Sequence, residues 1–165
     1  IWLDFPAKVS GVELPPEGLL SGLGLSTKDV KSVGKNQFDY LVEVADELIV
    51  RQLSPDFQAL LQVQARGIIV TAKADSTNAR RYDFVSRFFA PKSGIQEDPV
   101  TGSAHCALRP YWSATLGRLE LTGFQASRRG GFVQVVCKGS RVMLGGRALV
   151  MSNGRLSSEA WKAEI

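Results

Sequence analysis

Residues 104–117, AHCALRPYWSATLG, constrain the fold more than any other stretch of this chain. Ala104, Cys106, Ala107, Leu108, Trp112 and Leu116 make a helix that is small and apolar on most faces. Such a helix is buried inside a domain rather than laid across its surface. The segments around it read as strands. The expected fold is therefore α+β: a mixed, mainly antiparallel sheet or barrel wrapped around one central helix. Pro110 stands inside this helix, where it removes an amide and costs about 3 kcal/mol. A kink is expected there.

The remaining elements follow from local signals. ELPPEGLLSGLGL (13–25) reads as a short helix ending at Gly22 or Gly24. VKSVGKNQFDYLVEV (30–44) reads as two strands about the turn GKNQ, the second alternating as Phe38, Tyr40, Val42, Val44. Ser54 and Pro55 read as the N-cap and first position of a helix with Phe57, Leu60 and Leu61 on its apolar face. ARGIIVTAKA (65–74) reads as a buried strand, and YDFVSRFFAP (82–91) as another stopped by Pro91. GFVQVVCKG, SRVMLGG and RALVMS read as a β-meander.

Composition narrows the function classes. A chain of 165 residues with 44% hydrophobic residues has material for a core without a metal or disulfide scaffold. Its two cysteines, Cys106 and Cys137, form no CxxC pair, and there is one histidine, so a zinc site is not expected. The low cysteine count suits a reducing, cytoplasmic setting. The net charge of +4 is scattered, with no basic run interleaved with aromatics, so nucleic-acid binding is not expected. No apolar stretch approaches the roughly 20 residues of a membrane span. GLLSGLGLSTK lacks the spacing of a phosphate loop, and no GxSxG elbow is present.

The chemistry is concentrated in EDPVTGSAHC (97–106). Pro99 holds Asp98 extended. Thr101, Gly102 and Ser103 lead into the helix, whose first amides have no intrahelical partner and face the positive end of the dipole. An anion can sit there, and Gly102 leaves room for its approach. Beside a bound substrate carboxylate, Asp98 could give or take a proton near neutral pH. Ser103 could donate a hydrogen bond. The competing reading is structural: Asp98 or Thr101 caps the helix, Glu97 is a solvated loop charge, His105 is a satisfied core residue and Cys106 is packing.

RFFAPKSGIQEDPVTGSAHCALRPYW resembles the signature of the PhzF-like family, the phenazine-biosynthesis and isomerase-like proteins related to diaminopimelate epimerase. The likeness continues in GFQASRRGGFVQV and GGRALVMSNGRL, and LDFPA resembles the strand that closes the family's first domain. The resemblance implies a diaminopimelate epimerase-like fold of two similar halves with the active site between them. It implies proton transfer at carbon on a small carboxylated metabolite, without metal or other cofactor. By its DP-x-TGS pattern it implies a catalytic Asp98 and Ser103, with Thr101, Gly102 and Ser103 binding substrate. No role is implied for Arg109.

The family's main acid/base, a glutamate with a nearby histidine, belongs to an N-terminal half, and Glu13, Glu17, Glu43 and Glu47 do not stand in that context. This chain is therefore expected to be the C-terminal half. Residues 1–7 would be a strand and linker from an N-terminal domain, 8–150 the epimerase-like domain, and 151–165 a tail packing on the N-terminal domain. The expected partners are that domain, a small carboxylate and a second copy in a homodimer. Alone, the chain should be a poor catalyst. The alternative function is a non-catalytic protein-interaction module of the same fold.

Overall fold

In the computed structural model, which describes residues 1–155 and residue 157, the helix α4 (Gly102–Leu116) lies inside a curved sheet. The sheet has nine strands: β1 (Trp2–Pro6), β2 (Gly11–Val12), β3 (Val30–Lys35), β4 (Asp39–Val44), β5 (Gly67–Lys73), β6 (Phe84–Phe89), β7 (Glu120–Gln125), β8 (Gly131–Lys138) and β9 (Arg141–Gly145). Their spatial order is β1-β9-β8-β7-β6-β5-β4-β3-β2. The β4–β5 and β6–β7 pairs are parallel and the others antiparallel. This is the α+β arrangement expected from the buried helix.

The period-2 pattern of the strands sorts side chains to the two faces. Leu41, Ile69, Phe84, Phe88, Val133, Val135, Val142 and Leu144 face inward and enclose Ala104, Ala107, Leu108 and Trp112 of α4. Tyr40, Val42, Val44, Val70, Val85 and Phe89 face outward, under α1 (Leu19–Gly22), α2 (Glu47–Gln52) and α3 (Phe57–Leu60). β4 and β5 are thus covered on both faces, which is why they read as near-continuous apolar runs. Trp112 stacks on Phe84 at 5.8 Å and donates its indole N–H to Thr71 Oγ1 at 3.0 Å. Thr71 in turn donates to the Val85 carbonyl, so this buried polar chain is fully paired.

Several local expectations need correction. The first helix is only Leu19–Gly22; its neighbours Leu23 and Leu25 are buried without being helical. The cap of α3 is Asp56, which accepts from the Gln58 and Ala59 amides, and not Ser54. The carboxylate of Asp56 reaches both orphan amides, and Pro55 lies outside the helix. The meander is β7-β8-β9: Glu120–Gln125 is its first strand, and RALVMS is not a strand. Leu149, Val150 and Met151 are exposed. The tail expected over 151–165 lies largely outside the described residues. The strand at the chain's start is β1, and it pairs with β9 at one edge of the sheet.

Pro110 is absorbed rather than avoided, and α4 continues through it to Leu116. The amide it lacks would have bonded the Cys106 carbonyl four residues back. That carbonyl accepts instead from the amide of Lys8, at 2.9 Å. Pro110 therefore creates the point where the segment after β1 is fastened to the central helix.

His105 is fully buried in α4 and stands 6.1 Å from the Phe84 ring. Its Nδ1 is 2.8 Å from the Thr101 carbonyl, while Nε2 has no protein partner among the described residues. It is half satisfied, not fully satisfied as expected of a core histidine. Burial pushes its pKa down to about 4, opposed in part by the Thr101 carbonyl. The ordinary value of about 6.5 applies once the chain unfolds, so the unfolded state binds more protons between those limits. The stability contributed by neutral His105 is complete above about pH 6.5 and is lost as pH falls through about 4. It amounts to about 3 kcal/mol. In urea titrations between pH 7 and 4, His105→Gln should flatten this part of the pH dependence; equal slopes for both proteins would remove His105 as its source.

Candidate functional site

The segment between β6 and α4 is pinned at almost every residue. Ala90 and Ile95 pair across a short loop, and the Asp98 amide bonds the Phe88 carbonyl at 3.1 Å. Glu97 is not the solvated charge expected of it. It receives two hydrogen bonds from Arg87, at 2.6 and 3.0 Å, and Arg87 also donates to the Leu53 carbonyl at 2.7 Å. This fork ties the loop to the segment after α2. The Pro99 carbonyl accepts from Ser127 at 2.7 Å.

Gln125, the last residue of β7, is fully buried and binds the loop from beneath. Its Oε1 accepts from the Thr101 amide at 2.8 Å. Its Nε2 donates to the Asp98 carbonyl at 2.6 Å and to Thr101 Oγ1 at 3.1 Å. Thr101 Oγ1 donates a short hydrogen bond to Asp98 Oδ2. Asp98 and Thr101 therefore bond each other and do not cap α4. Thr101 occupies the N-cap position by its backbone, with no side-chain cap bond. The Gly102, Ser103 and Ala104 amides form an uncapped first turn.

A second string of polar groups meets this turn from the opposite side. Asp39 at the start of β4 is fully buried and accepts two hydrogen bonds from Arg66, one of them at 2.9 Å. Arg66 also donates to Ser103 Oγ at 3.0 Å, and its guanidinium stands over the Phe38 and Phe88 rings. Ser103 Oγ accepts from this cation, so its own hydroxyl proton is free to point outward. The end of α4 thus carries uncapped amides, a hydroxyl donor and a nearby guanidinium, all favourable to an anion.

The expected residues are brought together, with one change of role. Asp98, Gly102 and Ser103 flank the same turn. Thr101 is only 7% exposed, and both its amide and its hydroxyl are engaged. Its two donors are engaged within the protein, and its hydroxyl supports Asp98. Cys106 is buried packing, and burial pushes its thiol up, away from nucleophilic use. Asp39, Arg66 and Gln125 were not singled out from the sequence. Their signal was a polar residue at the inward phase of a buried strand or just before one, which demands a partner.

A cleft of about 370 Å³, lined by Glu97, Pro99, Ser127, Arg128 and Arg129, adjoins the Asp98 loop. The first turn of α4 lies outside it, on an open surface. The chain's start lies at the same end of the sheet: the Trp2 ring packs on Gly145, and Gly102 faces Leu144. Ile1, Trp2, Leu3 and Phe5 are exposed there or along β1.

A mixed sheet around a central helix, with a DP-x-TGS entry to that helix, defines a diaminopimelate epimerase-like domain. The chain belongs to the phenazine biosynthesis-like protein family, whose pattern matches residues 19–154. It is 45% identical to an uncharacterised isomerase of Halalkalibacterium halodurans, over 94% of this chain and 57% of that protein. An uncharacterised isomerase of Pseudomonas aeruginosa is 42% identical, over 93% of this chain and 56% of that protein. Among solved structures, a PhzF family protein of Enterococcus faecalis superposes with a TM-score of 0.81 and 38% identity, covering 92% of this chain and 55% of its own. The chain spans a little over half the length of these relatives. Among the described residues no helix is long and apolar enough to cross a membrane.

Gly102 separates packing from function. A Cβ there would meet only Leu144 Cδ1, at an ordinary 3.6 Å, and the residue sits in a helix. Gly102→Ala should leave the unfolding free energy in urea unchanged or raise it by up to about 1 kcal/mol. A clear loss of stability would show that the glycine is there for the fold and not for access to the turn.

Proposed function

We propose that this chain supplies one wall of an isomerase active site that moves a proton between carbons of a small carboxylated metabolite. The observation that carries this reading is the pairing of Asp98, held by one oxygen, with the uncapped first turn of α4. The Gly102 and Ser103 amides and the Ser103 hydroxyl hold the substrate carboxylate. Asp98 takes the proton from the broken C–H bond, or returns it to the neighbouring carbon, as a general acid/base. No electrons are gained or lost, so the reaction itself calls for no redox cofactor.

Proton transfer between two positions calls for a second acid/base on the far side of the substrate. The family resemblance assigns that group to an N-terminal half, and the shares of the relatives covered here agree with a chain of about half their length. The open face at the start of α4, flanked by the exposed Trp2 and Leu3, is where that half would sit. By this reading residues 1–165 alone are a weak catalyst, and the working protein is cytoplasmic and pairs as a homodimer. A second reading, a protein-interaction module without catalysis, is favoured by the exposed apolar residues of β1. An upstream segment carrying an acidic catalytic group decides for the enzyme; its absence decides for the module.

The test uses the protein with the coding sequence that flanks residues 1–165. In D2O, with a panel of unsaturated and 2-substituted carboxylic acids, mass spectrometry should find one that gains deuterium at carbon. Asp98→Asn should slow that exchange by roughly 10²- to 10⁴-fold with the melting temperature unchanged. Exchange at the normal rate in the variant, or none in any acid with the wild type, sinks the reading.

A further inference from the structure

We infer that Gln125 acts as a positioning residue: through Thr101 it fixes which oxygen of Asp98 is free to exchange protons. The inference rests on the reading of Asp98 as an acid/base and adds the device that orients it.

The orientation of the Gln125 carboxamide is dictated by the backbone. Its Oε1 faces the Thr101 amide, and its Nε2 faces the Asp98 carbonyl. Turned over, it would set N–H against N–H and oxygen against oxygen. With the amide in the observed orientation, Nε2 also gives a hydrogen to Thr101 Oγ1. The Thr101 hydroxyl has one proton of its own, and its acceptor is Asp98 Oδ2. Hydrogen-bond direction therefore runs one way, from Gln125 to Thr101 to Asp98. Oδ2 is held by a charge-assisted bond, while Oδ1 has no protein partner among the described residues.

A carboxylate free to turn would present either oxygen in many directions. A carboxylate tied at one oxygen presents the other in one direction, which is the geometric requirement for efficient proton transfer. Gln125 does this from full burial, out of reach of any substrate. Its placement in β7 connects the orientation of Asp98 to the hydrogen-bonded sheet. The arrangement also explains why residue 101 carries a hydroxyl although its side chain caps nothing.

The relay is read directly by NMR on the protein labelled with ¹³C in aspartate and threonine. The wild type should show a slowly exchanging Thr101 hydroxyl proton with a scalar correlation across the hydrogen bond to the Asp98 carboxyl carbon. Thr101→Ser should keep this correlation. Gln125→Met, similar in shape but unable to donate, should lose it, and deuterium exchange into the acid found above should fall in kcat with KM unchanged. No correlation in the wild type overturns the inference, and that spectrum decides even if Gln125→Met does not fold. Persistence of the correlation, or an unchanged kcat, in folded Gln125→Met also overturns it. A relay intact in wild type, beside an Asp98→Asn variant with normal exchange, retires the acid/base reading and with it the positioning role, while the hydrogen-bond geometry stands.

Discussion

The burial of α4 is the constraint on which the rest of the structure depends. The small and apolar side chains from Ala104 to Leu108, with Trp112, must be kept from water, so the sheet curves around them. That curvature brings the ends of β4, β5, β6 and β7 to one rim, around the helix's first turn. Asp39, Arg66, Phe88 and Gln125 reach the turn from four different strands or their approaches. The site exists at the rim because the helix begins there, and its first amides are left without partners among the described residues.

The first turn of a helix usually calls for a cap. Here the two candidates, Asp98 and Thr101, bond each other instead. The helix end therefore keeps its anion-binding capacity, at the expense of the roughly 1 kcal/mol that a cap contributes. The stability forgone is offset by bonds elsewhere in the loop: Arg87 to Glu97, Ser127 to Pro99 and Gln125 to the Asp98 and Thr101 backbone. A rigid loop with an unused helix end is what a binding site requires, and it differs from what stability alone would favour.

Pro110 shows the same economy in the core. In isolation it is a defect in the helix. In place, it releases the Cys106 carbonyl to the Lys8 amide and fastens the entering chain to α4. The segment after β1 and the loop before α4 are thus held by the same helix, about one turn apart.

The sequence by itself determined that α4 is buried, that strands surround it, and that Asp98, Gly102 and Ser103 share its entrance. These are local facts: apolar spacing, a proline after Asp98, and a small-residue turn within a few positions. Tertiary structure alone decided the partners. Gln125 lies 24 residues from Thr101, and Arg66 lies 37 from Ser103. No local pattern encodes such a distance; only the register of β6 with β7 and of β4 with β5 sets these side chains at the rim. The same holds for Thr101. Its hydroxyl read as a ligand donor or a cap, and it caps nothing, because the buried amide of Gln125 in β7 supplied the competing hydrogen and turned its proton toward Asp98.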